Sequence, residues 1–295
     1  MSKRVCLAIL VLSVVPAIAS AQGGGRGQMT AEQRAAAAEQ NRQKAEAVVR
    51  PIDALDSVWI EELTYLEVRD AMKAGKTTAL IFAGSTEQNG PYLAGGKHQY
   101  AMRLVAEAIA RKLGNALIAP IVAMEAGNPD QPFLEWGSLY FTAETYQAVI
   151  RDIAMSLKSQ GFKNIILMGD SGGNQPGMRA VAQELSTKWA GAANIYFIPE
   201  YYNWTSKGGV RDFVTSSGIT EKSEGIHDEY GLTAVVMAYD PKLVRLEQRI
   251  KANKATINGV SIVPKEKTIE MGKKIVEFRA NVAVDAIKKA LAGGK

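Results

Sequence analysis

The chain has 295 residues, 47% of them hydrophobic and 22% charged, which is enough apolar material for a full core and excludes a disordered polymer. The formal net charge is +5 and the basic residues are scattered, so nothing points to a nucleic-acid partner. The single cysteine, Cys6, lies near the N-terminus.

Met1-Ser2-Lys3-Arg4 is followed by an apolar run over 5–18 and then by Ala19-Ser20-Ala21. A basic start, a short apolar stretch and small residues at the expected cleavage point describe a secretory signal peptide spanning 1–21. The expectation is therefore export to the periplasm or the medium, with a retained anchor as the alternative. Cleavage removes Lys3 and Arg4, leaving +3 and no cysteine, which excludes disulfides, a thiol nucleophile and thiolate metal sites.

Residues 22–50 form the next expected region, a Gly- and Gln-rich leader and an Ala-rich helical arm over 30–49. Thr30 and Gln33 have the spacing of a capping box. With few large apolar residues, the arm is expected to pack loosely or against a partner subunit.

The main domain is expected over 51–295. The pattern predicts a helix over 64–74, a buried strand over 77–83 and a polar segment over 84–98. A helix over 100–113, a strand over 116–123 and a helix over 143–160 follow. The strand 164–168, the Gly-rich turn 169–174, a helix over 177–190 and the strand 194–198 complete the alternation. Such alternation predicts βαβ units around a mainly parallel sheet, with the ligand crevice outside the carboxyl ends of the strands. Residues 201–225 read as a polar covering loop, 231–239 are apolar, and 265–292 reads as a closing amphipathic helix.

Candidate chemistry concentrates in the two segments that leave strand ends. His98 and His227 are the only histidines, each in a polar, Gly-flanked stretch beside carboxylates. Imidazole with carboxylates suits a Zn, Mn or Fe site. Glu87 and Asp170 each follow a predicted buried strand, and Gly172-Gly173 would let backbone amides approach a ligand. No Lys-Ser/Thr pair follows those glycines, so a phosphate loop is not indicated. Gly169-Asp170-Ser171-Gly172-Gly173 matches a nucleophile elbow literally, which leaves open a serine hydrolase using Ser171, His227 and Asp212.

Ser85-Thr86-Glu87-Gln88-Asn89-Gly90-Pro91 resembles the Ser-Thr-Glu-Gln-His-Gly-Pro signature of the creatininase family. Residues 169–174 resemble its Asn-Gly-His-Gly-Gly-Asn signature, and 227–244 resemble its late His-Ala-Gly segment. The resemblance covers roughly 58–245 and implies a three-layer α/β/α fold, a divalent metal (Zn, Mn or Fe), a small or cyclic amide as substrate and a homo-oligomer. The departures fall on family metal ligands: Asn89 and Ser171 stand where histidines are expected, His98 where a bridging Asp is expected, and Tyr230 and Leu232 at late Glu positions.

The resemblance thus implies a rearranged metal site of Glu87, His98, Asp170 and His227. In that arrangement Glu229 or Asp228 would carry the proton to the leaving nitrogen. Asn89, Ser171 and Asn174 would hydrogen-bond the substrate, with Tyr92 or Trp136 walling the pocket. The leading expectation is a metal-dependent amidohydrolase. The alternatives are a non-catalytic binding protein on the same fold and the serine hydrolase.

Overall fold

A computed structural model describes residues 29–132 and 134–293, so the expected signal peptide and the first part of the leader lie outside the described residues. The chain divides into two units, 1–49 and 50–295. In the first, helix α1 (Ala31–Ala47) is capped by Thr30, whose hydroxyl accepts from the Gln33 amide while the Gln33 side chain returns the contact. Ion pairs of Arg42 with Glu39 and Glu46 line its surface.

The second unit is built on strand β1 (Thr78–Ala83), every residue of which is buried. It pairs in parallel with β2 (Ala116–Ile118) on one side and β5 (Asn164–Gly169) on the other, and β6 (Asn194–Phe197) extends the sheet beyond β5. Because strand side chains alternate, β1 feeds both faces. Ala79, Ile81 and Ala83 pack with Tyr146 and Ile150 of α4 (Ala143–Gln160) and with Met178 and Val181 of α5 (Asn174–Trp189). Leu80 and Phe82 pack with Met102, Val105 and Ile109 of α3 (Lys97–Leu113) and with Ala280 and Ile287 of α9 (Lys265–Gly293). Each Leu, Ile or Phe so buried contributes about 1.5–3 kcal/mol. The result is the three-layer α/β/α arrangement with a parallel central sheet. The predicted helix over 64–74 is α2 (Tyr65–Lys73), closed by a Thr64–Glu67 capping box.

Four sequence expectations change. The strand expected over 116–123 stops at Ile118, because Pro120 cannot donate to a ladder; bonding to β1 resumes where the Val122 amide reaches the Phe82 carbonyl at 3.0 Å. Beyond it, the short strands β3 (Glu125–Ala126) and β4 (Tyr140–Phe141) pair in parallel, which the pattern did not reveal. Helix α3 begins at Lys97, three residues before the expected start, and so takes His98 into its first turn.

The fourth change falls in the covering loop 201–225, which contains helix α6 (Val210–Ser216), its apolar residues Val210, Phe213 and Val214 at helical spacing. The apolar stretch after it is α7 (Tyr230–Tyr239), buried from Tyr230 to Met237. A single-turn helix, α8 (Leu246–Lys251), and the hairpin of β7 (Thr256–Ile257) with β8 (Val260–Ser261) precede α9. No helix among the described residues is long and apolar enough to cross a membrane.

Candidate active site

The site stands where β1 and β5 end side by side, the Asp170 amide donating to the Ala83 carbonyl at 2.8 Å. Past β1, Gly84 permits the first turn of α3 to lie against the sheet: a Cβ there would fall 2.9 Å from the His98 Cβ and 2.6 Å from the Met102 Cε. That close approach brings His98 over the strand ends. Its Nδ1–H donates to Asp170 Oδ2 at 2.9 Å and its Nε2–H donates to Glu87 Oε1 at 3.0 Å. A carboxylate on each ring nitrogen favours the doubly protonated imidazolium.

The chain of charges continues at both ends. Asp170, with no exposed surface, also accepts from Trp204 Nε1 at 3.2 Å and from Arg279 Nη2 of α9. The Arg279 guanidinium lies 4.0 Å from the Trp204 ring and 4.5 Å from the Tyr201 ring, and it donates further to the Tyr201 carbonyl and the Asn203 amide oxygen. At the other end, the buried Lys97 ammonium stands 3.6 Å from Glu87 Oε1. Arg279, Asp170, His98, Glu87 and Lys97 thus alternate in sign. The alternation compensates burial that no member could bear alone.

Burial disfavours the charged form of Glu87, but the hydrogen bond and charge of His98, with Lys97 adding to them, hold its carboxyl down at about 2. Burial works against ionised Asp170 too, and Arg279 and His98 together keep it below the usual range. For His98, burial is outweighed by Asp170 and Glu87, and the ring is raised above its ordinary value. Burial lowers Lys97, opposed by Glu87.

Beside this chain lies a pair absent from the sequence reading. Glu125 of β3 accepts from the Ser171 hydroxyl at 2.5 Å and from the Gly173 amide at 2.8 Å, and burial raises its carboxyl above the ordinary value. Gly173 is what admits it: a Cβ there would lie 2.4 Å from Glu125 Oε2. Glu125, Trp204 and Arg279 are far from the motifs in sequence, and Lys97, next to His98, lies within the polar segment 84–98 but no pattern singles it out. Only their burial in the fold marks them, and a charged residue inside an apolar helix face such as that of α9 was the one available hint.

The predicted site residues separate into groups. Glu87, His98 and Asp170 come together. Asn89 is buried and donates to the Glu87 carbonyl at 2.7 Å, its Oδ1 without a partner. Asn174 is consumed in tying the strand ends, accepting from the Ser171 amide at 3.0 Å and donating to the Gly84 carbonyl at 3.1 Å. Tyr92 lies under the Arg249 guanidinium at 4.7 Å, and Trp136 is 90% exposed, so neither stands against the charge chain.

Although its charge adds to those of His98 and Lys97 in lowering the Glu87 carboxyl, His227 makes no hydrogen bond to the other three expected ligands. It is exposed, its Nδ1 3.2 Å from the Gln88 carbonyl, on a loop that also carries Asp228 and Glu229. Glu229 pairs with Arg211 at 2.9 Å, and burial raises the Asp228 carboxyl despite Arg249. These residues line a cavity of about 460 Å³ with Arg211, Glu221 and Asn258, and the charges of His227 and Glu229 act on Glu87 and Lys97 respectively. The serine triad is not assembled either: Ser171 donates to Glu125 instead of to a histidine, and exposed Asp212 accepts from the Gly208 amide in its own loop.

Among the described residues, no group of three or more His, Cys, Asp or Glu side chains is placed to hold a metal ion. The chemistry of the donors explains this. A ligating imidazole offers a lone pair, whereas both His98 nitrogens donate protons. Both Asp170 oxygens are occupied by donors, and an ammonium already faces Glu87. The donor set in this arrangement does not fit a divalent ion.

The family model for creatininase, creatinine amidohydrolase, matches residues 61–287. The chain belongs to the creatininase family. Solved structures agree on the fold. A creatininase variant complexed with creatine has 19% identity and a TM-score of 0.58, over 79% of this chain and 98% of the other. A zinc–zinc creatininase variant has 19% identity and a TM-score of 0.57, over 80% and 98%. A manganese creatininase has 19% identity and a TM-score of 0.55, over 80% and 98%. No curated protein matches the sequence. In this creatininase-family chain, the retained Glu87 faces an ammonium and an imidazolium.

Proposed function

We propose that this chain is a hydrolase of the creatininase class that cleaves the C–N bond of a small amide at the carboxyl ends of β1 and β5. One observation carries the reading. The family's Glu87 is held ionised in a buried charge chain, beside a second carboxyl, Glu125, that burial raises and that keeps one oxygen on the Ser171 hydroxyl. Such paired carboxyls with opposite shifts suit acid–base work.

In the reaction, Glu125 takes a proton from water as the water oxygen bonds to the amide carbon, and returns it to the leaving nitrogen as the C–N bond breaks. The products are a carboxylic acid and an amine. A divalent zinc, manganese or iron ion is assigned no step, because the donor set does not fit one. The test is amine release from creatinine and a panel of small linear and cyclic amides, with Glu87→Gln and Glu125→Gln beside the wild type. Turnover lost in both variants supports the reading. A wild type inert on the whole panel, or one undiminished by Glu125→Gln, overturns it.

The second reading, a binding protein without catalysis, is favoured by one observation: every donor of the His98 ring is already satisfied. Calorimetric binding of a panel amide without turnover would select it. Export after cleavage of 1–21 and assembly of copies into a homo-oligomer are further proposals, tested by the N-terminus and by the solution mass of the protein recovered from cells.

A further inference from the structure

The site's geometry conflicts with a divalent ion, yet Glu87, Glu125 and Asp170 gather three carboxyls at one sheet edge, each at most 9% exposed. Three buried carboxyls need positive charge, since isolated burial of each would be prohibitive. The structure supplies it from the chain itself. His98 lies between Glu87 and Asp170, Arg279 closes Asp170, and Lys97 closes Glu87.

Lys97 differs from the other two cations. Arg279 donates to Asp170, Tyr201 and Asn203 and leaves only its Nη1 without a partner, and both nitrogens of His98 are engaged. Among the described residues Lys97 has one ion-pair contact, Glu87 at 3.6 Å, for an ammonium with three protons, with the charges of Glu229 and Asp170 acting on it from further off, although the residue is 3% exposed. In the signature loop, Asn89 donates to the Glu87 carbonyl and has a buried Oδ1 with no partner among the described residues. The Lys97 ammonium thus has donors to spare and Asn89 Oδ1 is an acceptor without a partner, as Arg279 Nη1 and the Ser85 hydroxyl are also buried without one; a primary or secondary amide satisfies a donor and an acceptor together, with its carbonyl oxygen and its N–H.

We infer that the fixed relay Arg279–Asp170–His98–Glu87–Lys97 takes the place of metal ions in this chain, and that its terminal ammonium, Lys97, is the metal-independent donor to the carbonyl oxygen of an amide ligand. The ammonium supplies one compact positive charge with movable donors where a divalent ion would supply coordination. The ligand class, a small amide, rests on the proposed hydrolase or binding site; the replacement of the metal does not.

The experiment uses the full chain with zinc and manganese ions as probes. Wild type is loaded with excess metal, desalted, and measured for metal content and melting temperature; Lys97→Met and Lys97→Arg are treated alike. Expected are substoichiometric metal in wild type, no melting shift with zinc, and no change on chelation. Lys97→Met and Lys97→Arg are expected to stay indifferent to zinc as well, because His98 still donates from both nitrogens and both Asp170 oxygens stay occupied. Stoichiometric zinc or manganese retained by wild type overturns the inference. Should Lys97→Met not fold, the wild-type metal content decides by itself.

For the ligand, calorimetric titration with acetamide, at concentrations that give measurable heat with wild type, is expected to lose its signal in Lys97→Met and to keep it in Lys97→Arg. Equal affinity in wild type and Lys97→Met overturns the donor role. A metal-free protein that hydrolyses no amide would sink the hydrolase reading and leave the relay standing. Stoichiometric zinc in an active enzyme would do the reverse.

Discussion

Replacing Arg279 by methionine tests the charge chain at its most deeply buried link. Methionine retains the apolar stem within α9 while removing the guanidinium, so the volume lost is small and the change is mainly one of charge and hydrogen bonds. Asp170, with no exposed surface, would keep Trp204 and His98 as partners and lose its strongest one. Breaking a buried ion pair from one side costs about 3–5 kcal/mol, a figure that includes the rings of Tyr201 and Trp204 losing their cation. For a domain of this size that corresponds to a fall in melting temperature of about 6–20 °C.

The assay is urea unfolding at neutral pH of Arg279→Met, Asp170→Asn and the double variant. Because the single change strands a buried charge and the double change removes it, the double variant is expected to lose less than the two single losses added together. An Arg279→Met protein within about 1 kcal/mol of wild type, or strict additivity in the double variant, would refute the reasoning, since exposed ion pairs behave in that way.

Three further outcomes follow from the same geometry. Glu87, depressed from 4.5 to about 2, contributes stability that is complete above pH 4.5 and is lost as the pH falls toward 2; Asp170, also depressed, acts in the same direction. His98, raised above 6.5, contributes below that pH and loses its contribution only as the pH rises through its folded value, so the acid-side fall belongs to the carboxyls. Unfolding free energy measured against pH should therefore drop less steeply between 4.5 and 2 in Glu87→Gln than in wild type, and parallel curves would count against the assignment. Gly173→Ala places a methyl 2.4 Å from Glu125 Oε2 and 2.5 Å from the Ala126 carbonyl oxygen, an overpacking of about 1–3 kcal/mol by denaturation. Gly172→Ala, whose nearest neighbour is the Tyr202 hydroxyl at 3.6 Å, is its mild control.

Ser171→Ala removes the 2.5 Å donor to Glu125 and raises that carboxyl further, which moves the acidic limb of the rate profile to higher pH. Abolished turnover together with serine-specific labelling of wild type by a phosphonate would instead restore the nucleophile reading.

Periodicity carried most of the fold. The apolar run at β1, the helical spacings of α4 and α9 and the alternation of strand and helix fixed a parallel sheet, because burial on both faces demands continuous apolar strands. The same rule placed Glu87 and Asp170 at the carboxyl edge. His98 joined them only because Gly84 lets the first turn of α3 settle on β1, a matter of helix-to-strand distance that no local pattern contains.

His227 shares the chemistry of His98 but occupies an exposed loop, so residue type alone cannot assemble a ligand set. Arg279 and Glu125 reach the site from 109 and 46 residues away, from Asp170 and Ser171 respectively. Sequence thus determined the family, the sheet and the identity of Glu87. Tertiary structure decided which charges meet, because pairing in a buried site depends on distances of about 3 Å set by packing, and turned an expected metal site into a chain of alternating ions.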